Sequence, residues 1–357
     1  MHGGDIYRNQ VQIDFSVNTN PMGAPEEVTE AMMEGVRRAG VYPDPECRAL
    51  REAIGRAFDM NPERVVCGNG AAELLMAVCR WKNPNSAMLP APGFSEYARA
   101  LEAAGCRRGE IRLREEDDFR LPDDLPQLIR TQKPDLLFLT NPANPTGVLT
   151  GREELREILR ACGETDCLLL LDECFMELSG RGNTHSMTQA VKDGNRNLMI
   201  LRSFTKSFAV PGIRLGYLFC GDALQAEGIE RQLPAWNVSV PAQLAGEAAM
   251  RMDFERYLEL STGLIRRERE FLTMQLQKLG AVVYPSEADY VLFRWKSGQL
   301  FEELLTEGIL IRDCRDYEGL CAGFYRVAVK KHDQNEILIK AIQKIVRNGG
   351  KTGNDDD

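Results

Sequence analysis

The sequence predicts an α/β fold in two unequal lobes, a large one built on a mostly parallel sheet and a smaller α+β one, and three observations carry that reading. Continuous apolar runs of strand length (PDLLFLT, LLLLDECF, LMILRSF) alternate with helical stretches across residues 41–235, as strands buried on both faces of a parallel sheet do. After Trp236 the order changes to a long helical stretch, the strand-like segments YVLFRW, ILIRDC and FYRVAVK, and a final helix from Asp333 to Arg347. The 357 residues also exceed one small domain and supply apolar material for a substantial core. The expected division is an N-terminal arm (1–40) belonging to the small domain, a large domain (41–235), an interdomain helix with the C-terminal small domain (236–348), and a disordered tail (349–357). That tail, GGKTGNDDD, has no apolar residue.

Taken in chain order, Val65 to Cys79 (VVCGNGAAELLMAVC) reads as strand, glycine turn and helix. The amides near Ala71 and Ala72 then open a helix N-terminus able to hold a phosphate, although a glycine turn can also serve packing alone. Phe94, in PAPGFSEY, is a candidate to stack on a flat ring and equally suited to the core. In NPANPTG, after the strand PDLLFLT, two prolines fix the backbone and Gly147 permits a turn, so Asn144 is presented as a donor. The run LLLLDECF ends abruptly in Asp172, and a carboxylate at the carboxyl end of such a strand points into the ligand crevice.

The richest stretch is SFTKSFAVPGIRLGY, Ser203 to Tyr217, between two further strand-like runs. Lys206 there sits where its ammonium can be desolvated and its pKa lowered, which suits condensation with an aldehyde. Ser203 and Thr205 offer hydroxyls and Arg214 a guanidinium fork, a set matched to a dianionic phosphate. The cofactor implied is pyridoxal phosphate, with Asp172 keeping the pyridine nitrogen protonated and Asn144 donating to the phenolic oxygen.

Composition narrows the field. Lys plus Arg total 44 against 53 acidic residues, a net charge of −9, which argues against nonspecific nucleic-acid binding. No apolar run approaches a membrane span and the first residues lack a secretory core, so a cytoplasmic protein with no membrane partner is expected. Ten scattered cysteines read as small packing residues in a reducing compartment, and three dispersed histidines give no metal cluster.

In their order, these segments resemble the fold type I family of pyridoxal-phosphate enzymes, within the aminotransferase class that includes histidinol-phosphate aminotransferase. The resemblance covers nearly the whole chain and implies a large domain with a mostly parallel seven-stranded sheet. It further implies that Lys206 bonds the cofactor, Asp172 meets the pyridine nitrogen and Asn144 meets O3′. The phosphate falls to Ala71, Ala72, Ser203, Thr205 and Arg214. Tyr42 resembles the tyrosine that reaches the neighbouring subunit's phosphate in a homodimer, and Arg326 resembles the clamp for the substrate α-carboxylate. The opening segments, His2 to Gly4 and Asp14 to Gly23, with RDCRDYEGLCAGFYRVAVK, are similar to the threonine-phosphate decarboxylases of cobalamin biosynthesis. Phe175 agrees, since the aminotransferases usually carry a tyrosine there to bond O3′. That branch implies decarboxylation of a small phosphorylated amino acid, L-threonine O-3-phosphate, to (R)-1-amino-2-propanol O-phosphate. His2, Asn20 and Arg312 are the candidates for its side-chain phosphate. The alternative is a histidinol-phosphate-type aminotransferase using 2-oxoglutarate.

Overall fold

The computed structural model describes residues 3–349. Its strands are β1 (Ile13–Asp14), β2 (Val65–Gly68), β3 (Ser86–Ala91), β4 (Arg107–Arg112), β5 (Leu136–Thr140), β6 (Leu168–Asp172), β7 (Leu198–Ser203), β8 (Gly216–Phe219), β9 (Val282–Val283), β10 (Tyr290–Arg294), β11 (Ile309–Leu310), β12 (Arg312–Asp313) and β13 (Phe324–Ala328). Seven of them form one sheet in the order β2-β8-β7-β6-β5-β3-β4. Only β8 runs against its neighbours.

The unbroken apolar runs follow from this sheet being covered on both faces. In β6, Leu169 and Leu171 enter one apolar cluster while Leu168 and Leu170 enter another, the alternation a pleated strand imposes. The helix Arg152–Thr165 between β5 and β6 buries Leu155, Ile158, Leu159 and Cys162, a stripe at helical spacing, and leaves its charges to solvent. The parallel register sets Thr140 beside Asp172 and Asp172 beside Leu201, while Ser203 faces Gly216 on β8. The carboxyl ends of β5, β6 and β7 therefore share one rim, where open α/β sheets place their ligands.

A second, antiparallel sheet runs β12-β13-β10-β9, and β1 of the N-terminal arm pairs in parallel with β11. Phe15 of the arm joins Leu272, Phe293, Tyr325 and Leu338 in a third apolar cluster, so both ends of the chain build one core. The 25-residue helix Phe254–Lys278, capped by Asp253, packs on this sheet, and the helix His332–Gly349 closes it. The arm's helix Glu26–Arg37 lies on Val240–Arg251 so closely that a Cβ at Gly35 would come within 2.4 Å of Pro241. All ten cysteines are free thiols, eight of them buried. No described helix is long and apolar enough to cross a membrane. The stretch 350–357 of the expected tail lies outside the described residues.

Candidate active site

Lys206 stands in a single helical turn, Phe204–Ser207, directly after β7. Ser203 caps that turn, its hydroxyl accepting from the Thr205 amide at 3.2 Å. Protein surrounds the ammonium, whose nitrogen lies 5.6 Å from the centre of the Phe175 ring, and burial holds its pKa below the usual lysine value. On the neighbouring strand end, Asp172 accepts from the Cys174 amide at 2.9 Å and from the Tyr97 hydroxyl at 2.7 Å. The same hydroxyl meets Thr140 at 2.7 Å, which ties two strand ends to the helix Ser95–Ala103 that carries Tyr97. Burial pushes the Asp172 carboxyl up, and these hydrogen bonds and Lys206 draw it back down.

An anion cradle lies alongside. Gly70 precedes the helix Ala71–Lys82 at φ +82, and a Cβ there would stand 2.5 Å from the Arg214 guanidinium. Gly216 faces the same turn, where a Cβ would come within 2.8 Å of the Ala71 nitrogen. Helix N-terminus and guanidinium thus converge only because both positions lack side chains. The Ser203 and Thr205 hydroxyls, 2.7 Å apart, complete the set.

Across the cavity, the guanidinium of Arg326 on β13 donates to the Asn144 side-chain oxygen and to the Ser16 carbonyl, the latter at 2.8 Å. Arg312 donates to the Asp313 carbonyl at 2.7 Å and to Asp316 at 2.8 Å, over the face of Tyr317 at 4.9 Å. The arm closes this side. The Gly4 amide donates to the Ser16 hydroxyl at 2.7 Å, which brings Gly3 with Ser16, Val17 and Asn18 to the cavity wall.

The cavity measures about 340 Å³ and gathers most of the residues expected from sequence: Ala71, Ala72, Phe94, Asn144, Asp172, Phe175, Ser203, Thr205, Lys206, Arg214, Arg312 and Arg326. Two others lie elsewhere. Asn20 is buried behind Lys206, its amide donating to the Ser207 carbonyl at 2.9 Å and the Ser261 hydroxyl at 2.8 Å. Tyr42 is 79% exposed and packs on Trp236, with ring centres 4.7 Å apart. His2 lies outside the described residues. The cavity residues not anticipated include Asn18, Tyr97 and Tyr317. The Asn18 side-chain oxygen is buried without a hydrogen-bond partner, which marks it as the arm asparagine turned to the ligand space.

The aminotransferase class I and II family model matches residues 10–342. The chain is 36% identical to the threonine-phosphate decarboxylase of Salmonella typhimurium, over 97% of this chain and 96% of that one. It is 30% identical to the bifunctional adenosylcobalamin biosynthesis protein of Leptospira interrogans, over 96% of this chain and 41% of that longer protein. Among solved structures, the histidinol-phosphate aminotransferase from Clostridium acetobutylicum superposes with a TM-score of 0.86 at 29% identity, covering 94% of this chain and 99% of the other. The sheet rim brings a buried lysine, a buried aspartate and a set of groups suited to an anion together, and this chain belongs to the aminotransferase class I and II family.

Proposed function

We propose that this protein is a cytoplasmic, homodimeric decarboxylase that converts L-threonine O-3-phosphate into (R)-1-amino-2-propanol O-phosphate for the cobalamin side chain. The observation that carries this reading is that three guanidinium groups, Arg214, Arg312 and Arg326, line one cavity. A cofactor phosphate, a substrate carboxylate and a substrate phosphate are three anions held at once, and each calls for a cation of its own. Histidinol phosphate carries no carboxylate and presents one anion where threonine phosphate presents two. The similarity to the decarboxylase from Salmonella typhimurium supports the same choice.

Pyridoxal 5′-phosphate is the family's cofactor, and the donor set fits it. The amides at Ala71 and Ala72, the hydroxyls of Ser203 and Thr205, and Arg214 would hold its phosphate. Asp172, already fixed by Tyr97 and Cys174, would meet its ring nitrogen, while Phe94 lines the cavity as the ring's stacking candidate. Bound there, it supplies a conjugated cationic ring that accepts the electron pair of whichever substrate Cα bond stands perpendicular to it.

The chain's own residues decide which bond that is. Arg326, braced by Asn144 and the Ser16 carbonyl, holds the carboxylate in one orientation. Arg312 grips the far phosphate, with the Asn18 side-chain nitrogen as a second donor, a remote handle whose binding energy turns the Cα substituents. Phe175 presents a ring face to Lys206 where a hydroxyl would otherwise compete for the phenolic oxygen, which leaves that contact to Asn144. With its proton affinity lowered by burial, the Lys206 nitrogen is suited to return a proton to Cα. The exposed Tyr42 and Trp236 pair forms a surface suited to a second copy, from which Tyr42 reaches the partner's phosphate.

Product analysis tests the proposal. Purified protein loaded with pyridoxal phosphate should release carbon dioxide and the phosphorylated amine from L-threonine O-3-phosphate with no oxo acid present. Turnover of histidinol phosphate that depends on 2-oxoglutarate, with no carbon dioxide from threonine phosphate, would overturn it.

A further inference from the structure

Asp172 is not the sole buried acid near Lys206. Asp289 sits in the tight turn that opens β10, where the Ser286 hydroxyl donates to the Tyr290 carbonyl at 2.6 Å and accepts from the Ala288 amide at 3.1 Å. The Val329 amide fixes the Asp289 backbone oxygen at 2.8 Å. The side chain is completely buried, and neither carboxylate oxygen has a hydrogen-bond partner. An ionised carboxylate in that state destabilises a fold unless its charge acts on something nearby.

Four cations surround it from different elements: Lys206 after β7, Arg326 on β13, Arg269 on the long helix and Lys330 after β13. Three of these have other engagements. Arg269 donates to the Ala288 carbonyl at 3.0 Å and pairs with Glu287, Arg326 is held by Asn144 and Ser16, and Lys330 lies over Phe15 with Asp14 nearby. Lys206 is the exception, with no salt bridge among the described residues. Its neighbours are the Phe175 ring, and Phe175 in turn packs edge-on against Tyr290, the residue after Asp289.

We propose that Asp289 is a positioning residue for Lys206, a second buried carboxylate whose negative charge acts on the lysine nitrogen from outside the cavity wall. Burial, Arg326 and Arg214 all drive a proton off that nitrogen, and the Asp289 carboxylate opposes them. Burial also raises the Asp289 carboxyl to about 6, so its charge develops across the mildly acidic range. Above that range Asp289 keeps the nitrogen basic, and below it the support is withdrawn. Asp172 faces the cofactor ring, whereas Asp289 tunes the lysine. The two acids divide the work.

The inference rests on the reading that Lys206 carries the cofactor, and its test separates the two. The full-length protein loaded with pyridoxal phosphate is titrated with pH while its visible absorbance, which reports protonation at the Lys206 nitrogen, is followed. Asp289→Asn should lower the midpoint by about one pH unit, and Asp289→Glu should restore most of the shift. A midpoint unchanged in Asp289→Asn, in protein that still melts cooperatively, overturns the inference. Should Asp289→Asn fail to fold, the neutral Asp289→Ser reads the same midpoint. A borohydride-reducible pyridoxyl label that persists in Lys206→Ala would instead overturn the reading on which the inference rests.

Discussion

The two walls of the cavity are made in different ways. On the large-sheet side, most groups stand at or near a strand end and are held by their neighbours, as in the chain Thr140, Tyr97, Asp172 and the pair Ser203, Thr205. On the other side, Arg326 and Arg312 are held largely by carbonyls and an amide, and the bond from Arg326 to the Ser16 carbonyl joins residues 310 apart in the chain. The first wall is built into the sheet, while the second is assembled where the two chain ends meet. Changes on the first should abolish chemistry or fold, and changes on the second should mainly alter substrate binding.

The sharpest way to break that contrast is Lys206→Ala. It should lower turnover ~10³-fold or more and abolish the covalent bond to the cofactor, read by loss of the borohydride-fixed pyridoxyl label after denaturation and gel filtration. Beneath the same wall, Arg202 is buried between Glu173 and Glu177, and Glu177 accepts from the Ser207 hydroxyl beside Lys206. Arg202→Met leaves two buried acids uncompensated and should cost about 3–5 kcal/mol in denaturant unfolding.

A pH experiment probes the acid behind the wall. Asp289 has its folded pKa raised from 3.8 to about 6, so the folded state binds that proton more tightly, and stability falls as pH rises from about 4 through 6. Asp289→Asn removes this penalty. It should stabilise the protein by on the order of 3 kcal/mol at pH 7, with the difference vanishing below pH 4.

The substrate wall should respond differently. Arg326→Lys keeps the charge but loses the fork, so kcat/KM should fall about 10²-fold while cofactor absorbance is retained. The smallest and most discriminating effects come from the two arm asparagines. Asn20→Ala should cost roughly 1–2 kcal/mol of stability with KM unchanged, because it strips donors from the Ser207 carbonyl and the Ser261 hydroxyl. Asn18→Ala should do the reverse, raising KM about tenfold with little loss of stability.

The two walls also differed in how far they could be read from sequence, and for the same reason. Asp172 and Lys206 announce themselves because an apolar strand ending in a charge is a local pattern, and the sheet's register does the rest. Gly70 and Arg214 were likewise placed by a strand, turn and helix reading and a short spacing from Lys206. Asn18 and Asn20 are two residues apart in an irregular segment, and which one faces the ligand depends on the Asn20 amide bonding to the Lys206 carbonyl, a long-range contact. Tyr97 could have been found three residues after Phe94, in the first turn of the helix Ser95–Ala103. Asp289 could not, since EADYVLF reads as an ordinary polar start to a strand until β13 and the long helix enclose it.

The most direct measurement is borohydride reduction of the cofactor-loaded protein followed by peptide mapping. The pyridoxyl label should fall on Lys206 within SFTK and on no other lysine. A label on any other residue, or none, would contradict the assignment of this rim as the place where the chemistry begins.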